Sequence, residues 1–345
     1  IPVARFPRTH GKRLTVHGIL THRFLQTGDL PEPHPLQWKR IRLCRVEALR
    51  DGGRKVAAGM TFSLDSIANA LSEVPGVRAV VLGGSRGRQE PSRDSDVDIG
   101  LYYDADLLEL ETLALRLTAM DDENRPDLLH SPGEWGPWIN GGAWLSVGGM
   151  PVDVLLRDLV RVENVVRDCV EGNLSIVWQS GHPFGFVNAI YAAEVHDCQP
   201  LWQDDTRPVD RLRSLLASEG AYPPRMREAM VAKFLWEAGF SITCGRKAAL
   251  RGDLHCAMGS LFRTIGAWTQ VLYAVNGRYQ MNEKGSLATA PSLPIAPPGL
   301  QAQVDRIYLC LAQGRGEEAW RELETLHTEI EGLAQEVPYA RNPRL

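Results

Sequence analysis

Asp96 and Asp98 stand one residue apart in Asp96-Val97-Asp98-Ile99, at the head of a run, DVDIGLYY, that otherwise reads as a buried strand. On a strand, residues i and i+2 share a face, so the two carboxylates project together, about 6–7 Å apart at their Cα atoms. Val97 and Ile99 then face a core. Two such carboxylates repel and perturb each other's pKa unless a cation or water intervenes. Hard divalent cations, Mg²⁺ above all, are the natural partners of such a pair beside phosphates. Taken alone, the pair also fits a solvent-facing strand end. The upstream context changes that. Leu82-Gly83-Gly84-Ser85 closes a preceding β-rich run, and ten residues separate Ser85 from Asp96. Glycines at a strand end let backbone N–H groups turn outward around a phosphate, with the Ser85 hydroxyl as a further donor. Arg86 and Arg88 add positive charge. A phosphate cradle facing a carboxylate pair across one loop suits a nucleoside triphosphate and its metal.

These residues resemble the signature of the nucleotidyltransferase superfamily related to DNA polymerase beta. The likeness points to the bacterial branch of minimal and aminoglycoside-type nucleotidyltransferases with a C-terminal helical domain. The family pattern is an apolar residue, Gly, Gly or Ser, a spacer of about ten residues, then Asp-apolar-Asp-apolar. Gly84-Ser85-Arg86-Gly87-Arg88-Gln89 and Ser95-Asp96-Val97-Asp98 match its longer form, except that Gly87 stands where Ala is usual and Gln89 where Gly is usual.

The resemblance implies an enzyme that moves a nucleoside monophosphate, AMP from ATP or its counterpart from another triphosphate, to an acceptor hydroxyl, releasing pyrophosphate. It implies that Asp96 and Asp98 hold one or two Mg²⁺ ions together with a third carboxylate on a later strand. Asp153, in GGMPVDVLLRDL, is the leading candidate and Asp158 the second; Asp153 would also orient or deprotonate the acceptor. Gly83, Gly84, Ser85, Arg86 and Arg88 would bind the nucleotide. VLYAVNGRYQMNEKG (271–285) resembles a segment of the family's helical domain and would bring Lys284 to the β- or γ-phosphate, with Arg278 or Tyr279 nearby. A second possibility, from another class, is a non-catalytic nucleotide-binding or antitoxin-like partner protein on the same fold.

The elements that must position these groups are legible. Residues 62–73 read as a helix with Ser63 as N-cap. VRAVVLGG and DVDIGLYY read as strands, 106–120 as an amphipathic helix, and AWLSVGG with PVDVLLRDL as two strands around a Gly-Gly turn. After about residue 160 the segments are helical in period, several ending at Gly. The expected fold is therefore α+β: a basic extension over 1–59, a small mixed-sheet nucleotidyltransferase domain over 60–160, and an α-helical bundle over 161–340.

Composition narrows the setting. The chain has 345 residues, 44% apolar and 23% charged, enough for one large or two medium domains. Residues 1–59 hold 12 Lys and Arg against 4 Asp and Glu, the remainder 26 against 38. The first segment is expected to be a disordered or non-native extension, with a nucleic-acid-binding arm as the alternative. The chain starts at Ile1, and Met60 opens the first patterned segment, so the functional protein is expected to begin near Met60. The acidic remainder disfavours nucleic acid and favours a small-molecule or protein acceptor. Six scattered cysteines without a CxxC pair suggest free thiols in the cytoplasm, and no apolar run is long enough to span a membrane. Trp135, Trp138 and Trp144 are expected to cover the sheet edge or core, with stacking on an acceptor sugar or base as the alternative. Glu134 and Glu194 are possible acceptor-side bases.

Overall fold

The computed structural model describes residues 63–88 and 96–336; residues 1–59, Met60, Gln89 and Ser95 lie outside them. The chain opens with α1 (Leu64–Ser72), capped by the Ser63 hydroxyl, which accepts from the Ser66 N–H. Strand β1 (Val77–Leu82), a one-turn helix α2 (Gly84–Gly87), β2 (Val97–Tyr103), α3 (Leu110–Met120), β3 (Gly142–Val147) and β4 (Met150–Asp158) follow. Gly148 and Gly149 have φ of +57° and +78° and close the β3–β4 hairpin as a two-residue primed turn. α3 starts later than its sequence suggests, because the Asp104 carboxylate accepts from the Asp106 N–H and holds a turn there.

Asp158 ends β4 and caps the next helix, α4 (Leu159–Glu171), accepting from the N–H groups of Val160 and Arg161. The region expected to be wholly helical then supplies three strands. β5 (Ile176–Gln179) and β6 (His182–Val187) form a separate hairpin, and α5 (Ala189–Asp197) leads into β7 (Gln199–Gln203). β7 is short, half-buried at every residue and contains Pro200, so it carries no apolar–polar alternation. The helices α6 (Pro208–Leu216), α7 (Pro224–Arg251), α8 (Leu254–Val275), α9 (Ser286–Thr289), α10 (Leu300–Ala312) and α11 (Gly316–Glu336) complete the chain. α7 and α8 form the principal helical pair, separated by Gly252 in the left-handed conformation and by Asp253, whose side chain caps α8.

The main sheet runs β3-β4-β2-β1-β7, with β2 and β4 parallel and the other pairs antiparallel. One face (Val80, Leu82, Val97, Ile99, Leu101, Val152, Val154) packs with Ile67 and Leu71 of α1 and Leu113 and Leu117 of α3. From the other face, Ala79, Val81 and Tyr102 join one continuous core with α4, α5 and the long helices, in which Trp268 and Trp320 are fully buried. Helical cover therefore lies on the face to which Asp98 belongs and opens near that residue. Among the described residues no helix is long and apolar enough to cross a membrane, and the five described cysteines are free thiols.

Candidate active site

Strand register assembles the site. Asp98 of β2 is directly opposite Asp153 of β4, and just past the end of β1 the row is continued by Gly83, whose N–H donates to the Asp98 carbonyl at 2.8 Å. Register partners share a face, so Gly83, Asp98 and Asp153 lie side by side on the helical face of the sheet. Val97 and Ile99 are fully buried on the other face, as the alternation required. Asp96 precedes β2 and is exposed.

The glycine loop is a single helical turn. The Gly87 N–H donates to the Gly83 carbonyl and the Arg88 N–H to that of Gly84. First-turn N–H groups have no partner within a helix, so those of Gly84 and Ser85 stand at its open end. Gly84 has φ +56°, and a Cβ there would lie 1.7 Å from Asp98 Oδ2. Gly87 departs from the usual Ala for a physical reason: a Cβ would lie 2.8 Å from the Leu82 carbonyl oxygen.

A cleft of about 610 Å³ brings most of the expected residues together. Gly83, Gly84, Ser85, Arg88, Asp96, Asp98, Asp153 and Lys284 all line it. Arg86 is not among its lining residues; its Nε donates to the Asp96 carbonyl at 3.2 Å and so fixes the start of β2. Tyr279 is not among them either; its ring packs between His196 and Tyr222 at tilted angles of 35° and 39°. Asp158, the second candidate for the third carboxylate, is a helix cap.

The electrostatics suit a cation and a proton acceptor. Burial, then the neighbouring Asp96 charge, raises the Asp98 pKa, and Arg88 opposes the shift. Asp153 is pushed up to about 6, first by burial and then by Asp98 and Asp96, while Lys284 pulls it down. Half-buried oxygen donors of like charge fit Mg²⁺ by chemistry. They stand apart as an open set: among the described residues, the triple whose donor atoms lie within 4.8 Å of one another is Cys310, Glu318 and Glu322. Those two glutamates pair with Arg315 and Arg306.

The same cleft holds an ion pair that the sequence did not announce, between β4 and α5. The Arg157 guanidinium is 2% exposed and grips Glu194 of α5 with two hydrogen bonds of 2.7 Å. Burial works against its charge, but Glu194 more than offsets this and leaves the Arg157 pKa raised. Glu194, weighed as an acceptor-side base, is thus held as the partner of a buried cation. His182 of β6 lines the cleft edge-on to Phe186. Burial lowers its pKa, and its buried Nδ1 has no hydrogen-bond partner among the described residues. A Ser180-Gly181 pair between two apolar runs was the available signal for the β5–β6 hairpin. Arg157 and Glu194 carried none, since only tertiary packing joins them. Trp138 belongs to the core, stacked on Phe186 under Arg161, whereas Trp144 is 54% exposed.

The family model of the nucleotidyltransferase domain matches residues 64–169, which include the glycine loop and all three aspartates. The match supports nucleotidyl transfer in general. A nucleotidyltransferase-like protein from Exiguobacterium sibiricum 255-15 is similar in structure, with 11% identity and a TM-score of 0.38, over 78% of this chain and 72% of that one. No curated protein matches.

Proposed function

We propose that the protein is a metal-dependent nucleotidyltransferase that moves a nucleoside monophosphate, AMP from ATP, to an acceptor hydroxyl and releases pyrophosphate. The observation that carries this reading is the single row Gly83–Asp98–Asp153 across three neighbouring strands, which sets a phosphate loop, a cation ligand and a proton acceptor side by side. Asp96, Asp98 and Asp153 would hold Mg²⁺, which when bound supplies positive charge to the triphosphate oxygens. The loop N–H groups and the Ser85 hydroxyl bind phosphate. Arg88 and Lys284 bring positive charge to the same cleft. Asp153, with its raised pKa, takes the proton of the acceptor hydroxyl as that oxygen attacks the α-phosphorus and the pyrophosphate bond breaks. The Arg157–Glu194 pair ties β4, the strand of Asp153, to α5 in the same cleft.

A screen of hydroxyl compounds with MgATP, read by pyrophosphate release, tests this when wild type and Asp98→Asn are run together. At least one acceptor should give release with wild type and none with Asp98→Asn, whose thermal midpoint should not fall, because the substitution removes a buried repulsion. Undiminished turnover in the variant would overturn the assignment. MgATP binding without release from any acceptor would favour a nucleotide-binding module instead.

A further inference from the structure

The row that carries the site does not end at Asp153. The next strand, β3, places Trp144 directly opposite Asp153. Adjacent strands are about 4.8 Å apart and register partners share a face, so the indole rises from the same surface, about 5 Å from Asp153 and about 10 Å from Asp98 at the backbone. Trp144 is 54% exposed. It is stacked on Trp135 with ring centroids 4.3 Å apart and planes 24° from parallel, and His130 stands edge-on to Trp144 at 5.7 Å.

This cluster is held from several sides. Trp135 lies against Gly142, where a Cβ would approach the ring to 3.0 Å. The Trp135 N–H donates to the Asn140 carbonyl, and its own carbonyl accepts from the Gln179 side chain. The Arg125 guanidinium donates to the Trp144 carbonyl. His130 Nδ1 is 3.1 Å from Glu134 Oε2, which puts a carboxylate at the edge of the platform. An indole fixed in place and left half open is costly to expose and ready to bind, because stacking on it requires little reordering.

We propose that Trp144, supported by Trp135 and His130, is the acceptor subsite: it stacks the flat face of a ring that bears, or adjoins, the reacting hydroxyl. The ligand class is a neutral or cationic ring-bearing alcohol, with either a sugar ring or an aromatic ring against the indole. Glu134, the two aspartates of the row and Asp96 beside it disfavour a polyanionic nucleic-acid end. The position follows from the row: donor phosphates lie over Gly83 and Ser85 at one end, the proton acceptor Asp153 stands between, and the ring lies over Trp144 at the other. The inference rests on the nucleotidyl-transfer reading for the identity of the ring as acceptor, but the ring contact can be measured without turnover.

The test is saturation-transfer NMR on the full chain with methyl glucoside, methyl glucosaminide and benzyl alcohol, alongside titration with a fluorescent ATP analogue and Mg²⁺. At least one ring probe should bind wild type. Trp144→Ala should weaken it about tenfold, the loss of one stacking partner, and Trp144→Phe should restore most of the affinity. Nucleotide affinity should stay the same in both variants, which also shows that they are folded. The glucosides against benzyl alcohol decide between a sugar and an aromatic ring. If no ring probe binds wild type, or if Trp144→Ala binds every probe as wild type does, the subsite is overturned. Failure of wild type to bind the nucleotide would instead sink the transferase reading, while the probe arm still decides the ring contact.

Discussion

Gly84 and Asp98 occupy what is almost one space: a methyl group on Gly84 would lie 1.7 Å from the Asp98 Oδ2 atom. The glycine loop is therefore fitted around this carboxylate. Gly84→Ala should force a side chain into a left-handed backbone and displace the carboxylate together. We expect a stability loss of about 1–3 kcal/mol and at least about tenfold weaker MgATP binding, measured by thermal unfolding and by nucleotide titration. Gly87→Ala, the residue usual in the family pattern, meets the Leu82 carbonyl at 2.8 Å and should cost less on both measures.

Asp153 gives the metal-free protein a specific pH dependence. Its folded pKa, about 6, lies above the ordinary 3.8, so between these values the native state holds a proton that the unfolded chain has released. Stability should fall as pH rises through this window, by about 1–2 kcal/mol once solvent screening of this partly open carboxylate is allowed for, and level off above about pH 7; burial raises Asp98 in the same direction. Denaturation in EDTA from pH 4 to pH 7 measures the slope, and Asp153→Asn should flatten it. The half-buried His182 and His327, with lowered pKa, slope the opposite way in both proteins, so the difference between wild type and Asp153→Asn is the readout, and parallel curves would contradict the burial of this carboxylate.

Arg157 and Glu194 stabilise the cleft only as a pair. Glu194→Gln leaves a guanidinium that is 2% exposed without its counter-charge, which should cost about 3–5 kcal/mol in urea unfolding. Replacing both residues, Arg157→Met with Glu194→Leu, should recover part of that loss, because neither charge then remains buried.

Much of the site was legible because it lies in elements whose residues repeat their environment. Val80, Leu82, Val97, Ile99, Val152 and Val154 alternate toward one core, and that alternation alone aims Asp98 and Asp153 at the other face. Gly148-Gly149 marked the hairpin that brings β3 beside β4. The contribution of α5 and β7 was hidden for the complementary reason. α5 is buried almost all round, so Ala189–Val195 shows no amphipathic stripe, and β7 is too short and too evenly half-buried to alternate. Nothing in the sequence marks Arg157; only the packing of α5 against the sheet supplies Glu194. Lys284 was placed by resemblance and lies in the cleft, whereas Arg86, chosen by proximity to the loop, is turned to a backbone carbonyl.

The strand beside the glycine loop is made last. β7, residues 199–203, pairs with β1 from more than a hundred positions downstream, and Gln199 donates to the Gly87 carbonyl at 2.9 Å. A ribosome that has finished residue 169 has added every aspartate of the site and none of this lock. Until β7 arrives, β1 is a bare hydrophobic edge able to pair with another chain. Shortening the protein to its recognisable signature would thus remove the clasp that keeps the loop in place and expose the strand most prone to aggregation.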